Sequence, residues 1–308
     1  MDDLGAALEY IRTNFPEVAY RLDEPLSTHT SFRIGGPVRA MLFPGSAGEL
    51  AKLLGGMAQR GVKPLVIGNG TNLLADDAPI DIIAIKTSAC NAAKRTGENE
   101  ITAEAGVSLA QLANMACEFG LAGLEFAHGI PGTLGGAVSM NAGAYGGELK
   151  DVVHSTEIFT PDAGISSLDN AGHSFTYRNS KLLGAGIIAL SSVIRLKKGD
   201  AVEIKALMDD YGARRRESQP LDIPSAGSIF KRPKRGYAAE LIENSGLKGY
   251  RIGGAQVSEK HAGFIINTGS ATFSDVTALM EHIRETVLEQ TGVDLEPEVR
   301  IVRRGLWS

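Results

Sequence analysis

The chain has 308 residues, 43% of them hydrophobic and 22% charged, which gives room for two or three domains with substantial cores and no bias toward a long disordered tail. A formal net charge of -5 argues against a protein whose main task is holding nucleic acid, yet leaves open a compact anionic ligand in a local basic pocket. Cys90 and Cys117 have no metal-like spacing, the start MDDLGAALEYIRTNF lacks the order of a secretory signal, and no apolar run reaches membrane-spanning length, so a soluble cytoplasmic protein is expected.

In chain order, Leu4, Ala7, Leu8 and Ile11 predict an amphipathic helix over 3–14. Val38–Phe43 reads as a strand entered through Gly35, Gly36 and Pro37, followed by a helix over 47–60 and a strand over 64–67, a β-α-β unit. GNGTNLLADD at 68–77 has two readings: a tight Asn-Gly hairpin, or a nest of backbone N–H groups closing on a pyrophosphate with Thr71 and Asn72 as further donors. It is not a dinucleotide fingerprint, which would need a glycine at position 73. Strands are expected over 81–86 and 100–105, then a helix opened by a Ser108/Gln111 capping box and ended by Gly120.

The stretch 129–147, GIPGTLGGAVSMNAGAYGG, holds seven glycines in nineteen residues, a density suited either to gripping phosphate or to joining short strands by turns. Strands over 152–159 and 186–196 flank FTYRNSKL. A helix from Asp200 places Ile204, Leu207, Met208 and Tyr211 on one face, and a domain boundary is expected there. Beyond it come a strand at 227–230, helices over 237–243 and 274–290, a strand over 263–267, and a closing strand over 295–302.

Several side chains are candidates for chemistry. The basic clusters at 214–221 and 231–235, a pattern that usually marks a solvated surface, flank Ser225-Ala226-Gly227-Ser228, an arrangement that suits an anionic, diphosphate-bearing ligand better than nucleic acid given the acidic remainder. Ser228 is either a reactive hydroxyl or a satisfied turn residue. Period-2 alternation puts Glu296, Glu298 and Arg300 on one strand face, as a solvent edge or as acid-base equipment in a cleft. Arg178 is a carboxylate fork or a loop cation. The six histidines show neither HxH nor HExxH spacing, so no metal centre is expected.

Seven stretches together give the sequence a clear kinship: HTSFRIGGP at 29–37, GNGTNLL at 68–74, GIPGTLGGAVSMNAGAYGGE at 129–148, FTYRNSKL at 175–182, AGSIFKRP at 226–233, GAQVSEKHAGFIIN at 254–267 and LEPEVR at 295–300. Over nearly the whole chain and in this order, the sequence resembles the flavin-dependent UDP-N-acetylenolpyruvoylglucosamine reductases of bacterial peptidoglycan synthesis, in their compact type II form without an extra inserted loop. The resemblance implies an α+β protein. Two FAD-binding subdomains of the vanillyl-alcohol-oxidase-like (PCMH) fold, 1–86 and 87–199, precede a C-terminal α/β substrate-binding domain, 200–308.

The resemblance also implies NADPH as hydride donor and a UDP-sugar enolpyruvyl ether as substrate, handled by a monomer without nucleic acid or membrane. It assigns Arg178 to the substrate carboxylate, Ser228 to proton donation and Glu298 to polarising the developing enol. FAD would be held by Gly68, Asn69, Gly70, Thr71, Asn72 and Leu73 together with Gly129, Gly132, Thr133, Gly136, Asn141 and Gly143. Tyr177, Arg214, Lys231, His261 and Arg300 would bind substrate. Thr71 stands where the family more often has serine, His128 where a small residue or asparagine is common, and Arg232 where asparagine is frequent. Two other readings stay open on the residues alone: a flavin oxidase or dehydrogenase of the same fold with another substrate, and a non-enzymatic nucleotide-sugar or phosphate-binding module.

Overall fold

The structure is a computed structural model that describes residues 2–305. The first unit contains α1 (Asp3–Asn14), β1 (Ala19–Pro25), β2 (Pro37–Phe43), α2 (Ala47–Ala58), β3 (Leu65–Ile67), β4 (Leu73–Ala75) and β5 (Ile80–Lys86). Its sheet runs β1-β2-β5-β3, with β1 antiparallel to β2 and the other three parallel. The β-α-β reading holds, with β5 inserted between the two parallel strands. Ala7 and Ile11 of α1 and Leu50, Leu53, Leu54 and Met57 of α2 close one face over Ile83 and Ile85.

The second unit contains β6 (Ala93–Arg95), β7 (Glu100–Glu104), α3 (Leu109–Glu118), α4 (Leu134–Ser139), β8 (Val153–Thr160), β9 (Gly164–Asp169), β10 (Ile188–Arg195) and α5 (Ala201–Ser218). Its sheet is antiparallel in the order β9-β8-β10-β7-β6. Asp200 caps α5, its carboxylate accepting from the N–H groups of Val202 and Glu203. Ile204 and Met208 of α5 pack with Leu112, Leu134, Val138 and Ile194 in the core of this unit, so the helix lies against the second sheet and carries its basic end toward the C-terminal part of the chain.

The third unit contains β11 (Ser225–Ser228), α6 (Ala238–Asn244), β12 (Arg251–Ile252), β13 (Ala255–Val257), β14 (Phe264–Asn267) and α7 (Phe273–Thr291). Its antiparallel sheet runs β11-β14-β13-β12. Helix α7 buries Val276, Leu279, Met280, Ile283 and Val287, as its periodicity predicts, and Thr272 and Asp275 close a complete capping box at its start. The chain ends on β15 (Arg300–Val302), which returns to the first unit and pairs in parallel with β4. Phe32, Ile34 and Leu74 of the first unit lie in the core of the third.

Four local expectations change. The Asn69-Gly70 pair does not make a hairpin: β3 joins the first sheet while β4 pairs with β15. Gly70 turns at φ +65, and a Cβ there would lie 2.1 Å from the His29 carbonyl oxygen. The Ser108 cap is one-sided, because Ser108 Oγ accepts from the Gln111 N–H without a bond in return. The closing strand is shorter than its alternation suggests, since Phe230 meets Pro297 in an isolated bridge before the pairing with β4 begins. Finally, Leu207 is 40% exposed, so the buried stripe of α5 is narrower than predicted.

Leu74 has no exposed surface and its backbone pairs with Ile301, so it anchors both the third core and the return of the chain. Leu74→Ala is expected to cost about 2–5 kcal/mol of stability, read as a lower urea midpoint at unchanged slope.

Candidate active site

A cleft of about 830 Å³ opens where the three units meet. Ser31, Arg33, Thr71 and Asn72 reach it from the first unit, and Gly129, Gly143, Tyr145 and Arg178 from the second. Arg215 and Gln219 come from the end of α5, and Ser228 and Glu298 from the third unit.

The glycine motifs build one wall. Residues 129–147 are not a continuous loop: they enclose α4 and a short pairing of Gly143-Ala144 with Gly147-Glu148. Asn69 Nδ2 donates to the Pro131 carbonyl at 3.0 Å, tying the two glycine-rich segments together. Thr133 Oγ1 is buried and has no hydrogen-bond partner, and a Cβ on Gly68 would fall 2.1 Å from it. A buried hydroxyl without a protein partner, in a glycine-built corner where backbone can approach closely, has its donor free for a phosphate oxygen. The donor set therefore fits the pyrophosphate of FAD. Gly132 lies by Thr71 and Gly136 by this same Thr133, a Cβ on each falling 3.9 Å from the hydroxyl oxygen. Leu73 opens β4. Asn141 is wholly buried and engaged with protein atoms.

The polar groups sit beside these segments, since Asn72 Nδ2 donates to the Glu298 carbonyl and Asn141 Nδ2 to the Thr176 carbonyl in the turn that bears Arg178. Arg178 occupies the tip of a two-residue turn closed by mutual hydrogen bonds between Thr176 and Asn179, and its φ is +54. Its Nε lies 3.0 Å from Glu298 Oε1, with both side chains mostly buried. The Nε–H is not aligned on the oxygen, so the contact is an ion pair without a formed hydrogen bond. Glu298 is thus beside Arg178, across the cleft, rather than in the company of Arg300 alone.

Burial pushes the Glu298 carboxyl above the usual carboxylate range, with Arg178 and then Lys231 pulling it partly back. The Glu298 N–H donates to the Ile229 carbonyl at 2.7 Å, so Ser228 and Glu298 arrive on two directly bonded segments. Gly227, at φ +76, turns the chain just before Ser228.

The remaining expected residues divide. Tyr177 is 45% exposed, and its hydroxyl accepts from the Arg232 N–H at 3.2 Å, joining the second unit to the third. Lys231 is ion-paired with Glu296 at 2.5 Å. The Arg300 N–H donates to the Asn72 carbonyl at 2.9 Å, and burial lowers the basicity of its guanidinium. None of Tyr177, Arg214, Lys231, His261 and Arg300 is among the residues lining the cleft. Arg214 is exposed and pairs with Asp210 one helical turn back, while His261 Nδ1 accepts from the Gly263 N–H and its ring packs edge-on to Phe264.

Arg215 takes the place in the cleft wall expected for Arg214. Its Nε donates to Gln219 Oε1 at 2.9 Å and burial lowers its basicity. The signal was present: Ile204, Met208 and Tyr211 continue at the next helical step to position 215, whereas 214 is about 100° round the helix. Arg33 and Tyr145, both at positive φ, also line the cleft without having been singled out from the sequence.

A glycine-built cradle beside a buried carboxylate and a serine is an arrangement a flavin-dependent oxidoreductase can use, and the relatives of the chain are of that class. A model described as "FAD binding domain" matches residues 38–169, and one described as "UDP-N-acetylenolpyruvoylglucosamine reductase, C-terminal domain" matches residues 219–302. The chain is 50% identical over 281 residues to the UDP-N-acetylenolpyruvoylglucosamine reductase of Caldanaerobacter subterraneus subsp. tengcongensis, covering 91% of this chain and 93% of that protein. It is 44% identical to the reductase of the same name from Syntrophomonas wolfei subsp. wolfei, covering 93% and 96%. The crystal structure of the Thermus caldophilus reductase superposes with a TM-score of 0.77 at 32% identity, over 93% of this chain and 99% of that one. The chain belongs to the UDP-N-acetylenolpyruvoylglucosamine reductase family. This membership removes the two rival readings, a flavin oxidase for another substrate and a non-enzymatic binding module.

Because the Glu298 carboxyl titrates above its ordinary range in the folded protein, it stabilises the fold relative to an ordinary carboxyl at low pH and loses that advantage as pH rises through its folded value. Glu298→Gln removes the titration. The variant's melting temperature, relative to the parent, is expected to rise as pH increases above the ordinary glutamate value of about 4.3. A constant difference across that range would contradict the burial argument.

Proposed function

We propose that Arg178, Ser228 and Glu298 perform the substrate chemistry of an FAD- and NADPH-dependent reduction of UDP-N-acetylglucosamine enolpyruvate to UDP-N-acetylmuramate, a step of peptidoglycan synthesis. The observation that supports this assignment is that the three side chains, from sequence positions far apart, line one cleft beside the glycine-rich segments.

When bound, FAD supplies a two-electron carrier between NADPH and C3 of the enolpyruvyl ether. The chain's own residues handle the charge and the proton. Addition of hydride at C3 leaves negative charge on C2 and in the adjoining carboxylate, which needs a positive partner and then a proton. The Arg178 guanidinium has five N–H donors in a planar fork, enough to receive the substrate carboxylate while its Nε stays beside Glu298. Ser228 delivers its hydroxyl proton to C2. Glu298, held largely out of water and raised in pKa, is suited to carry a proton on a carboxyl oxygen and polarise the developing enol.

The proposed cofactor residues are Gly68 to Leu73 with Gly129, Gly132, Thr133, Gly136 and Gly143, supported by the orphaned Thr133 hydroxyl. Tyr177, Lys231, Arg300 and Arg215 are proposed for the UDP-sugar. Arg215 is included because its guanidinium lines the cleft; Tyr177, Lys231 and Arg300 are kept for their ties to residues around it, Tyr177 to Arg232, Lys231 by its charge on Glu298 and Arg300 by its bond to Asn72. Three units are proposed, with α5 assigned by its packing to the second and the substrate domain starting after it. A cytoplasmic monomer that binds neither nucleic acid nor membrane is also proposed, in keeping with the net charge of -5.

Two measurements test this assignment. Gly68→Ala brings a methyl group against Thr133, and the purified variant is expected to lose most of its yellow colour and its FAD. Ser228→Ala is expected to stay yellow and to be bleached by NADPH as the parent is. Reoxidation by the enolpyruvyl substrate should slow by about 100- to 10,000-fold, the usual worth of a positioned acid. Unchanged reoxidation would remove Ser228 from the proton-donor role.

A further inference from the structure

Arg178 projects from a turn in which its own backbone is left-handed, φ +54. A long side chain gives defined geometry only if the turn that bears it is fixed. The two bonds between Thr176 and Asn179 close the turn but do not attach it to anything.

The attachment is Asn141. This residue has no exposed surface, also has a left-handed backbone, φ +46, and lies just beyond α4. Its Oδ1 accepts from the Lys150 N–H at 2.9 Å. Its Nδ2 donates to Glu148 Oε2 at 3.0 Å and to the Thr176 carbonyl at 3.0 Å. A backbone N–H can only donate and a carbonyl can only accept, so these partners fix which end of the amide is which. Both N–H donors are therefore committed inside the protein. Ser180 Oγ, bonded to the Ser139 carbonyl at 2.7 Å, fastens the other side of the same turn to α4.

We propose that Asn141 is a positioning residue for Arg178: its side-chain amide clamps the carbonyl of Thr176 and so sets where the guanidinium meets the substrate carboxylate. The proposal replaces a cofactor-ligand role for Asn141 and rests on the reading of Arg178 as the partner of that carboxylate. Loss of the clamp leaves the Thr176 carbonyl and the Lys150 N–H without their partner and frees the turn. Flavin binding and the reaction with NADPH do not use that carboxylate contact, so the two half-reactions should separate.

The test uses holoenzyme of Asn141→Ser, Asn141→Ala, Arg178→Lys and the double variant Asn141→Ser/Arg178→Lys, with flavin content and stopped-flow rates of both half-reactions. Asn141→Ser and Asn141→Ala should retain stoichiometric FAD, and bleaching by NADPH should change by less than about 3-fold. Reoxidation by the enolpyruvyl substrate should slow by about 10- to 100-fold, as expected when a reacting contact is displaced by an ångström or so. In the Arg178→Lys background, Asn141→Ser should add less than about 3-fold, because both changes act through one contact.

Loss of FAD from a variant with the parent's circular dichroism would make Asn141 a cofactor ligand and overturn the proposal. Unchanged reoxidation in both Asn141 variants, beside slow reoxidation in Arg178→Lys, would overturn the proposal and leave the role of Arg178 standing. Unchanged reoxidation in Arg178→Lys would instead remove the underlying reading, and the proposal with it. If Asn141→Ala does not fold, Asn141→Ser, which keeps a small polar group at the buried position, supplies the same comparison.

Discussion

The parallel pairing of Arg300–Val302 with Leu73–Ala75 is the constraint on which the site depends. It joins the last strand of the chain to the segment that continues directly from the first glycine-rich turn. Asn72 seals the junction twice, accepting from the Arg300 N–H at 2.9 Å and donating from Nδ2 to the Glu298 carbonyl at 3.1 Å. A residue of the expected cofactor loop therefore grips the backbone of the expected catalytic carboxylate. Leu74 in the third core makes the same link by packing, so the cleft wall cannot shift without opening buried apolar surface.

That rigidity gives the Arg178–Glu298 pair its meaning. Bringing a guanidinium and a carboxylate together out of water costs desolvation that the attraction only partly returns. Here the balance is visible in Glu298, whose pKa stays raised despite a cation 3.0 Å away. The pair is thus a poor stabilising contact, and its Nε–H is not even aligned for a hydrogen bond. An arginine held near a carboxylate without satisfying it is well prepared to receive another anion. The fold keeps this unfavourable arrangement because its two members are fixed by separate elements: Glu298 by Asn72 and Ile229, Arg178 by the turn that Asn141 and Ser180 hold.

Much of this was legible in the sequence because local rules govern it. Helix α7 follows from its spacing and its cap, and the β-α-β unit from alternating periods. The illegible part is set by long-range pairing. Nothing near Asn69-Gly70 distinguishes a hairpin from a crossover, because β4 finds its partner more than two hundred residues later. The ion pair joining Arg178 to Glu298 is equally non-local, and neither neighbourhood encodes it. That Arg215 rather than Arg214 lines the cleft was hard to read for a different reason: α5 buries only Ile204 and Met208, too sparse a stripe to fix the phase of a run of three arginines unless extended turn by turn.

Backbone strain has the same distribution. Among the described residues, the non-glycine positions at positive φ are Asp23, Arg33, Asn141, Tyr145, Ser174 and Arg178. Arg33, Tyr145 and Arg178 line the cleft, and Asn141 supports it from behind. Each such conformation costs on the order of 1–3 kcal/mol, so it persists only where surrounding contacts over-determine it. Those contacts are present: the Arg33 N–H donates to the Thr30 carbonyl, Tyr145 stacks on Tyr211 with its hydroxyl on that residue's carbonyl, and Asn141 spends its amide on three partners. Asp23, within β1, and Ser174 lie away from the cleft; the other four are at or directly behind the surfaces that present side chains to it. A site assembled from three units, with its polar groups on left-handed turns, owes its precision to buried hydrogen bonds behind the groups that meet the ligand.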